Sequence, residues 1–224
     1  MTEAATRPVR HLAAPRSLAE RVHRLRYTLA RRVVQLGVLA LFIGTVHGGW
    51  TLVGQPLLAG NLSAARLVGT VPLADPFMTL QMLVAGHPLI AEVLIGAGIV
   101  LMAYLLLGGR TWCGWVCPLG AVTDAAAWLR AKLGLRDLVR PPPRMRYAVL
   151  LLALVLSALT GVAAFEWISP IGILHRELVY GIGLGMTAVA GVFLFDLAVM
   201  SHGWCGHLCP LGAFWSVVGR AGQV

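Results

Sequence analysis

Every cysteine of this chain sits in one short string used twice: Trp112-Cys113-Gly114-Trp115-Val116-Cys117-Pro118-Leu119-Gly120-Ala121 and Trp204-Cys205-Gly206-His207-Leu208-Cys209-Pro210-Leu211-Gly212-Ala213. Eight of the ten positions are identical. Each copy follows a long apolar stretch, so the repeated unit is larger than the string. Thiols in such pairs can pack as small apolar fillers, hold zinc as a tetrathiolate, run a disulfide relay, or ligate an iron-sulfur cluster. Packing accounts for one buried cysteine but poorly for four in matching Cys-x-x-x-Cys-Pro pairs. Zinc knuckles use this spacing mostly in soluble modules, and a relay in a reducing cytoplasm serves only as a transient catalytic step. The Cys-Pro ending matches the end of the bacterial Cys-x2-Cys-x2-Cys-x3-Cys-Pro run, whose remaining cysteines are missing here. Cys113, Cys117, Cys205 and Cys209 are therefore the candidate ligands of a 4Fe-4S cluster, with another metal or free thiol chemistry left open.

Local chemistry favours an anionic group at these positions. Proline directly after Cys117 and Cys209 turns each of those cysteines away from helical geometry and suits the first turn of a following helix. A helix N-terminus presents free N–H groups and partial positive charge, which lower a thiol pKa and welcome a metal-thiolate cluster. Val122 to Leu133 alternates apolar and polar residues as an amphipathic interfacial helix does.

The elements that must position these strings are apolar. The chain has 224 residues, 58% hydrophobic and 12% charged, outside the range of ordinary soluble domains. Four runs, Val33–Val53, Leu89–Leu107, Tyr147–Phe165 and Leu178–Met200, approach the roughly 20 apolar residues that cross a bilayer. The fold expected from this pattern is an all-α integral membrane protein. Its four transmembrane helices form two tandem parallel-repeat hairpins, each followed by a cytoplasmic Cys-x-x-x-Cys-Pro loop. The corresponding divisions are a basic arm at 1–32, a first hairpin repeat at 33–121, an interfacial helix and linker at 122–146, a second repeat at 147–213 and a tail at 214–224.

Net charge is +9, but the positions of the charges argue for a membrane and against nucleic acid. In a four-span arrangement sixteen of the eighteen basic residues fall on one side, the positive-inside pattern of a multi-pass membrane protein with both termini in the cytoplasm. The arginine-rich first 32 residues are too long for the n-region of a cleaved leader, and Leu18–Arg32 reads either as a surface-lying amphipathic helix or as a disordered basic tail.

Electron carriers in a bilayer exchange with quinones, and quinol oxidation needs proton acceptors beside a lipid-accessible pocket. Asp75, His87 and Glu166, on the two loops expected at the outer face, are the candidate quinol-site residues. Each taken singly also fits a bland role, Asp75 before Pro76 being an ordinary turn former. Asp196 lies inside the last apolar run, where an ionisable group is a functional candidate by default.

Four ordered strings carry a family resemblance: Val71-Pro72-Leu73-Ala74-Asp75-Pro76-Phe77-Met78-Thr79-Leu80-Gln81, Trp112 to Leu119, Phe165-Glu166-Trp167-Ile168-Ser169-Pro170, and Phe193 to Leu197 leading to His202 to Pro210. Together they resemble the NapH family of ferredoxin-type membrane proteins, from about Arg31 to the C-terminus. The resemblance implies the membrane subunit of a periplasmic nitrate reductase quinol dehydrogenase. It would oxidise ubiquinol or menaquinol from the membrane quinone pool and pass electrons to a periplasmic NapG-like iron-sulfur subunit. Members of that family continue past the position of Val224 into a cysteine-rich ferredoxin segment, so the expectation is either a truncated polypeptide or a chain served by a separate cytoplasmic ferredoxin-type partner. The rival expectations are an assembly or scaffold subunit, and a cysteine-based metal or thiol relay without quinol oxidation.

Overall fold

Residues Leu18 to His47 form one continuous 30-residue helix, α1 (Leu18–His47). The computed structural model describes residues 18–108, 111–139, 141–142 and 144–221. The first seventeen residues of the expected basic arm, Arg110, Arg140 and the last three residues of the tail lie outside it. The stretch Leu18–Arg32, read as a surface helix or a disordered tail, is thus the first half of α1. The portion Leu25–His47 is long and apolar enough to cross a membrane, and only 11% of its most apolar window is buried inside the fold.

Beyond α1 the chain departs from the all-helical expectation. Val53 and Gly54 both take positive φ, 53° and 75°, and close a two-residue hairpin between β1 (Thr51–Leu52) and β2 (Gln55–Pro56). A second antiparallel sheet follows, in the order β3 (Leu58–Gly60), β4 (Ala64–Leu67), β5 (Val71–Ala74). Its first turn is fixed by Asn61, whose Oδ1 accepts from the N–H groups of Ser63 and Ala64 at 2.9 and 3.0 Å. Asp75 then caps α2 (Pro76–Val84), accepting from the Phe77 N–H at 3.0 Å, with Pro76 in the first helical turn. Helix α3 (Ala91–Leu107) lies against β5. The approach is closest at Gly96, where a Cβ would stand 3.1 Å from the backbone of Pro72 and Ala74.

The remaining helices are α4 (Leu119–Lys132), α5 (Met145–Thr160), α6 (Ala164–Ile168), α7 (Pro170–Tyr180), α8 (Met186–Ala198) and α9 (Pro210–Ala221). Single π-helical turns, Trp112–Val116 and Trp204–Leu208, separate α3 from α4 and α8 from α9.

The four-span, two-hairpin architecture is not what forms. Among the described residues α1 is the one helix that meets the length and composition of a membrane span; α3, α5 and α8 have 17, 16 and 13 residues. The cause is local. The run Tyr147–Phe165 stops at Gly161, which ends α5 in the left-handed region at φ 68°. The run Leu178–Met200 breaks at Gly181, φ 126°, and resumes as a helix only at Met186. The segment between α1 and α2, expected as a loop at the outer face, is where the two sheets lie. Apolar composition marks burial or lipid contact equally well, and it does not by itself distinguish a span from a shorter packed helix.

The core is built from both repeats. Phe77 of α2, Leu119 of α4, Leu174 of α7, Val192 of α8 and Trp215 of α9 are all buried in one cluster that also contains Cys117 and Cys209. Arg130 of α4, only 3% exposed, sends Nη1 to the Leu197 carbonyl and Nη2 to those of Val199 (3.3 Å) and Arg136. A cation on the last carbonyls of α8 is favoured by the helix dipole, and it locks α4 to the entrance of the second cysteine turn.

Candidate functional site

The two cysteine strings fold alike. In the first, the Cys117 N–H reaches back to the Trp112 carbonyl at 3.1 Å; in the second, Cys209 does the same to Trp204 at 2.8 Å. This five-residue reach is the π-turn bond. Both cysteines then leave the helix, with φ, ψ of −63°, 116° and −72°, 112°, as residues before proline do. That break turns each thiol over the N-terminus of the helix that follows. The N–H groups of Leu119 and Gly120 point at Cys117, and Gly212 donates to the Cys209 sulfur at 3.4 Å.

The site lies where both repeats meet. Cys117 and Cys209 are buried and share the core cluster, while Cys113 and Cys205 are half-buried. The thiols of the two repeats feel one another. Burial raises the Cys209 thiol well above its ordinary range, and Cys205, Cys113 and Cys117 add to the rise. Cys205 is pushed up to about 12 by burial and then by Cys117, against a lowering contact with Thr123, whose Oγ1 is 3.8 Å from the Cys205 sulfur. Cys117 is also raised by burial, partly offset by its two N–H donors and by Arg31. The lowered thiol pKa expected at the helix N-termini is therefore outweighed by desolvation and mutual repulsion.

These features fit a polynuclear metal-thiolate group. Buried, protonated thiols must release protons to bind metal, and they then need cationic charge and N–H donors, which the helix N-termini supply. Among the described residues no three His, Cys, Asp or Glu side chains are gathered as they would be around a single metal ion.

Polar residues hold the turns in place. Gln35 of α1 donates to the Cys117 carbonyl at 3.0 Å, and fully buried Asp196 accepts from the Trp204 N–H at 2.9 Å. An aromatic wall backs the first turn: Trp112 stacks on Trp215, centroids 6.1 Å apart, and Tyr104 meets both edge-on at 5.5 and 4.9 Å.

The outer candidates separate into a pair and an outlier. Asp75 is raised to about 7, first by burial and then by the nearby Glu166, against the lowering N–H groups of Phe77 and Met78. Glu166, at the start of α6, is also raised by burial and accepts a short hydrogen bond from Ser63 Oγ. The Ser63 carbonyl accepts from the Asp75 N–H at 2.8 Å, so Ser63 bridges the two acidic residues. His87 stands apart, exposed, with Nε2 2.6 Å from the Gly161 carbonyl. Between the acid pair and the cysteines run packed rings: Phe165 to Phe77 at 5.8 Å, Phe77 to Phe214 at 5.5 Å and Phe214 to Trp215 at 5.3 Å.

Several residues of the site carry no motif. Gln35, Thr123 and Asp124 were not singled out by sequence, and Arg31 and Arg32 were counted only as membrane-sorting charge. Gln81 of α2, fully buried, accepts from the Phe165 N–H at 3.0 Å and from Ser157 Oγ at 3.3 Å. Gln81 closes the first of the four resemblance strings without a role read for it, and the signal for Gln35 was a lone amide inside an apolar helix.

A 4Fe-4S binding domain family matches residues 89–136 and 178–223, the two segments that carry the cysteine turns. The chain is 44% identical to the ferredoxin-type protein NapH of Haemophilus influenzae, over 87% of the chain and 66% of that protein. Against NapH of Escherichia coli the identity is 45%, over 89% and 68%. Against the methylamine utilization ferredoxin-type protein MauN of Methylorubrum extorquens it is 43%, over 87% and 66%. The chain thus spans 66–68% of the length of these relatives. No solved structure matches it. The chain belongs to the NapH and MauN family of ferredoxin-type proteins, electron-transport proteins with a 4Fe-4S binding domain.

Proposed function

We propose that the chain is the membrane-anchored electron-transfer subunit of a quinol dehydrogenase. It serves the oxidation of ubiquinol or menaquinol and directs electrons towards a periplasmic NapG-like iron-sulfur subunit and a nitrate reductase. Cys113, Cys117, Cys205 and Cys209 are its cluster ligands. The observation that carries this reading is the pair of matching π turns, each ending in a buried cysteine at a helix N-terminus and both reaching one core.

When bound, a 4Fe-4S cluster takes up and releases single electrons. The protein's own part is to hold four thiolates in a dry pocket, to satisfy their sulfurs with backbone N–H groups, and to accept the protons that quinol oxidation releases. Asp75 suits that last task, because a carboxyl raised to about 7 both binds and gives up a proton at neutral pH, and Glu166, also raised by burial, lies beside it. Their position beside the ring column from Phe165 to Trp215 supports the assignment over His87. Anchoring falls to α1, whose N-terminal arginines suit the cytoplasmic side of a bacterial inner membrane. Service to a methylamine-oxidising system is the second reading, favoured by the 43% identity to MauN.

Cys113→Ser and Cys209→Ser test the proposal in the full complex. Loss of electron flow from a quinol analogue with assembly intact supports it. Loss of assembly favours a scaffold, and full activity in both variants overturns the ligand assignment. The terminal oxidoreductase that co-purifies decides between the nitrate and methylamine systems.

A further inference from the structure

The two cysteine turns share a backbone but not a charge environment. Arg31 of α1 reaches over the first turn: a Cβ built on Gly120 would stand 3.3 Å from its Nη2, 3.4 Å from Gln35 Nε2 and 3.6 Å from the Cys113 carbonyl. At the equivalent point in the second repeat, Gly212, the three nearest atoms are the Cys205 carbonyl oxygen at 3.4 Å and two atoms of Cys209, with no cation among them. The guanidinium is held there by Asp124 of α4, whose Oδ2 accepts from Arg31 and Arg32 at 2.7 Å each. Arg32 in turn braces Gln35, Nη1 to Oε1 at 2.7 Å, and Gln35 is bonded to the Cys117 carbonyl.

Charge around the site is therefore uneven. Beside the first turn two guanidiniums face one carboxylate, a net positive charge, with His202 Nδ1 3.8 Å from the other Asp124 oxygen. On the second side Asp196 and Asp124 disfavour negative charge at Cys205, while Arg130 acts on Asp196 and Arg146 on His207 rather than on the thiol. Arg31, Arg32 and Asp124 are partly screened from water, at 23%, 28% and 27% exposed, so their Coulomb terms persist better than those of surface pairs.

Resting on the reading that the four cysteines hold an iron-sulfur cluster, we infer that Arg31 is a positioning residue that sets the reduction potential of the bound group, stabilising the added electron from the first-repeat side, with Asp124 as its counterweight. Reduction adds one negative charge to an already anionic group, and net charge near a cluster is one of the levers on its potential. Removing the cation lowers the potential. Removing the carboxylate raises it.

The test is a redox titration of the purified, cluster-loaded full chain, followed by electron paramagnetic resonance, with iron and sulfide measured on the same samples. Arg31→Gln is expected to make reduction at least about tenfold less favourable, roughly 59 mV for a one-electron couple. Arg31→Lys is expected to keep most of the potential, and Asp124→Asn to shift it upward. Opposite shifts from the two members of one ion pair are what electrostatic control requires, whereas loss of a structural contact would move both the same way. If Arg31→Gln does not load, the sign of the Asp124→Asn shift decides. Unchanged or same-sign shifts with iron retained overturn the inference alone; absence of iron and sulfide from the unaltered chain overturns the underlying ligand assignment.

Discussion

The side chain of Gln35 in α1 donates a 3.0 Å hydrogen bond to the carbonyl of Cys117, eighty-two residues away in sequence, and is itself 4% exposed. Helix α1 and the first cysteine turn are thereby one mechanical unit. Gln35→Leu leaves the Cys117 carbonyl and the Arg32 guanidinium short of a partner. It should cost about 1–3 kcal/mol, read as a lower melting temperature in detergent together with faster loss of bound iron.

Asp75 gives the protein a pH-dependent signature. Its carboxyl titrates near 7 in the folded chain against 3.8 ordinarily, so between those values the folded state holds a proton that the unfolded state has lost. Its contribution is full below the lower value and declines as pH rises through the upper one. Stability should therefore fall as pH is raised from about 4 to about 7. Asp75→Asn, which keeps an N-cap acceptor, should flatten that slope in denaturation curves. The same variant should abolish the rise in quinol oxidation as pH passes about 7, since the proton acceptor is gone.

Two glycines of α3, two positions apart, should respond with opposite signs. A methyl at Gly96 would lie 3.1 Å from the backbone of Pro72 and Ala74, whereas a methyl at Gly98 meets nothing within 4 Å. Gly96→Ala should destabilise by about 1–3 kcal/mol because strand β5 must shift. Gly98→Ala should stabilise by about 0.5–1 kcal/mol through helix propensity. Melting temperatures of the two variants measured side by side check the pair.

Arg130 is a buried cation whose partners are mostly backbone carbonyls, with Asp137 3.5 Å from its Nε. Arg130→Met removes the cation from Asp137 and from the end of α8, and should cost about 3–5 kcal/mol in chemical unfolding. Because α8 leads into the second π turn, the variant should also release iron faster than it loses helix content.

What the sequence made legible followed from local repetition. The duplicated string identified both cysteine turns, and Pro118 and Pro210 foretold the extended geometry of Cys117 and Cys209 and the helices that follow them. The span count was not legible, because the runs around Gly161 and Gly181 are apolar enough to read as continuous while their backbone breaks at the glycines. The strands at 51–74 were missed because Val53-Gly54 and Val68-Gly69 turn the chain with few of the usual polar turn residues. Arg31 and Arg32 looked like sorting charge, and nothing in the linear order shows that they close on Asp124, more than ninety positions downstream. The sequence grouped Asp75, His87 and Glu166, but Ser63, which bridges the two acids, carried no signal, and nothing in the linear order sets His87 aside as the fold does.

The central claim is that the four cysteines of the two repeats jointly hold one iron-sulfur group. Iron and acid-labile sulfide in the anaerobically purified chain, compared with a Cys117→Ser/Cys209→Ser variant of equal helix content, test it most directly. The account predicts equimolar iron and sulfide in the unaltered chain and neither in the variant. Iron and sulfide retained in the variant, or zinc in place of both, would contradict it.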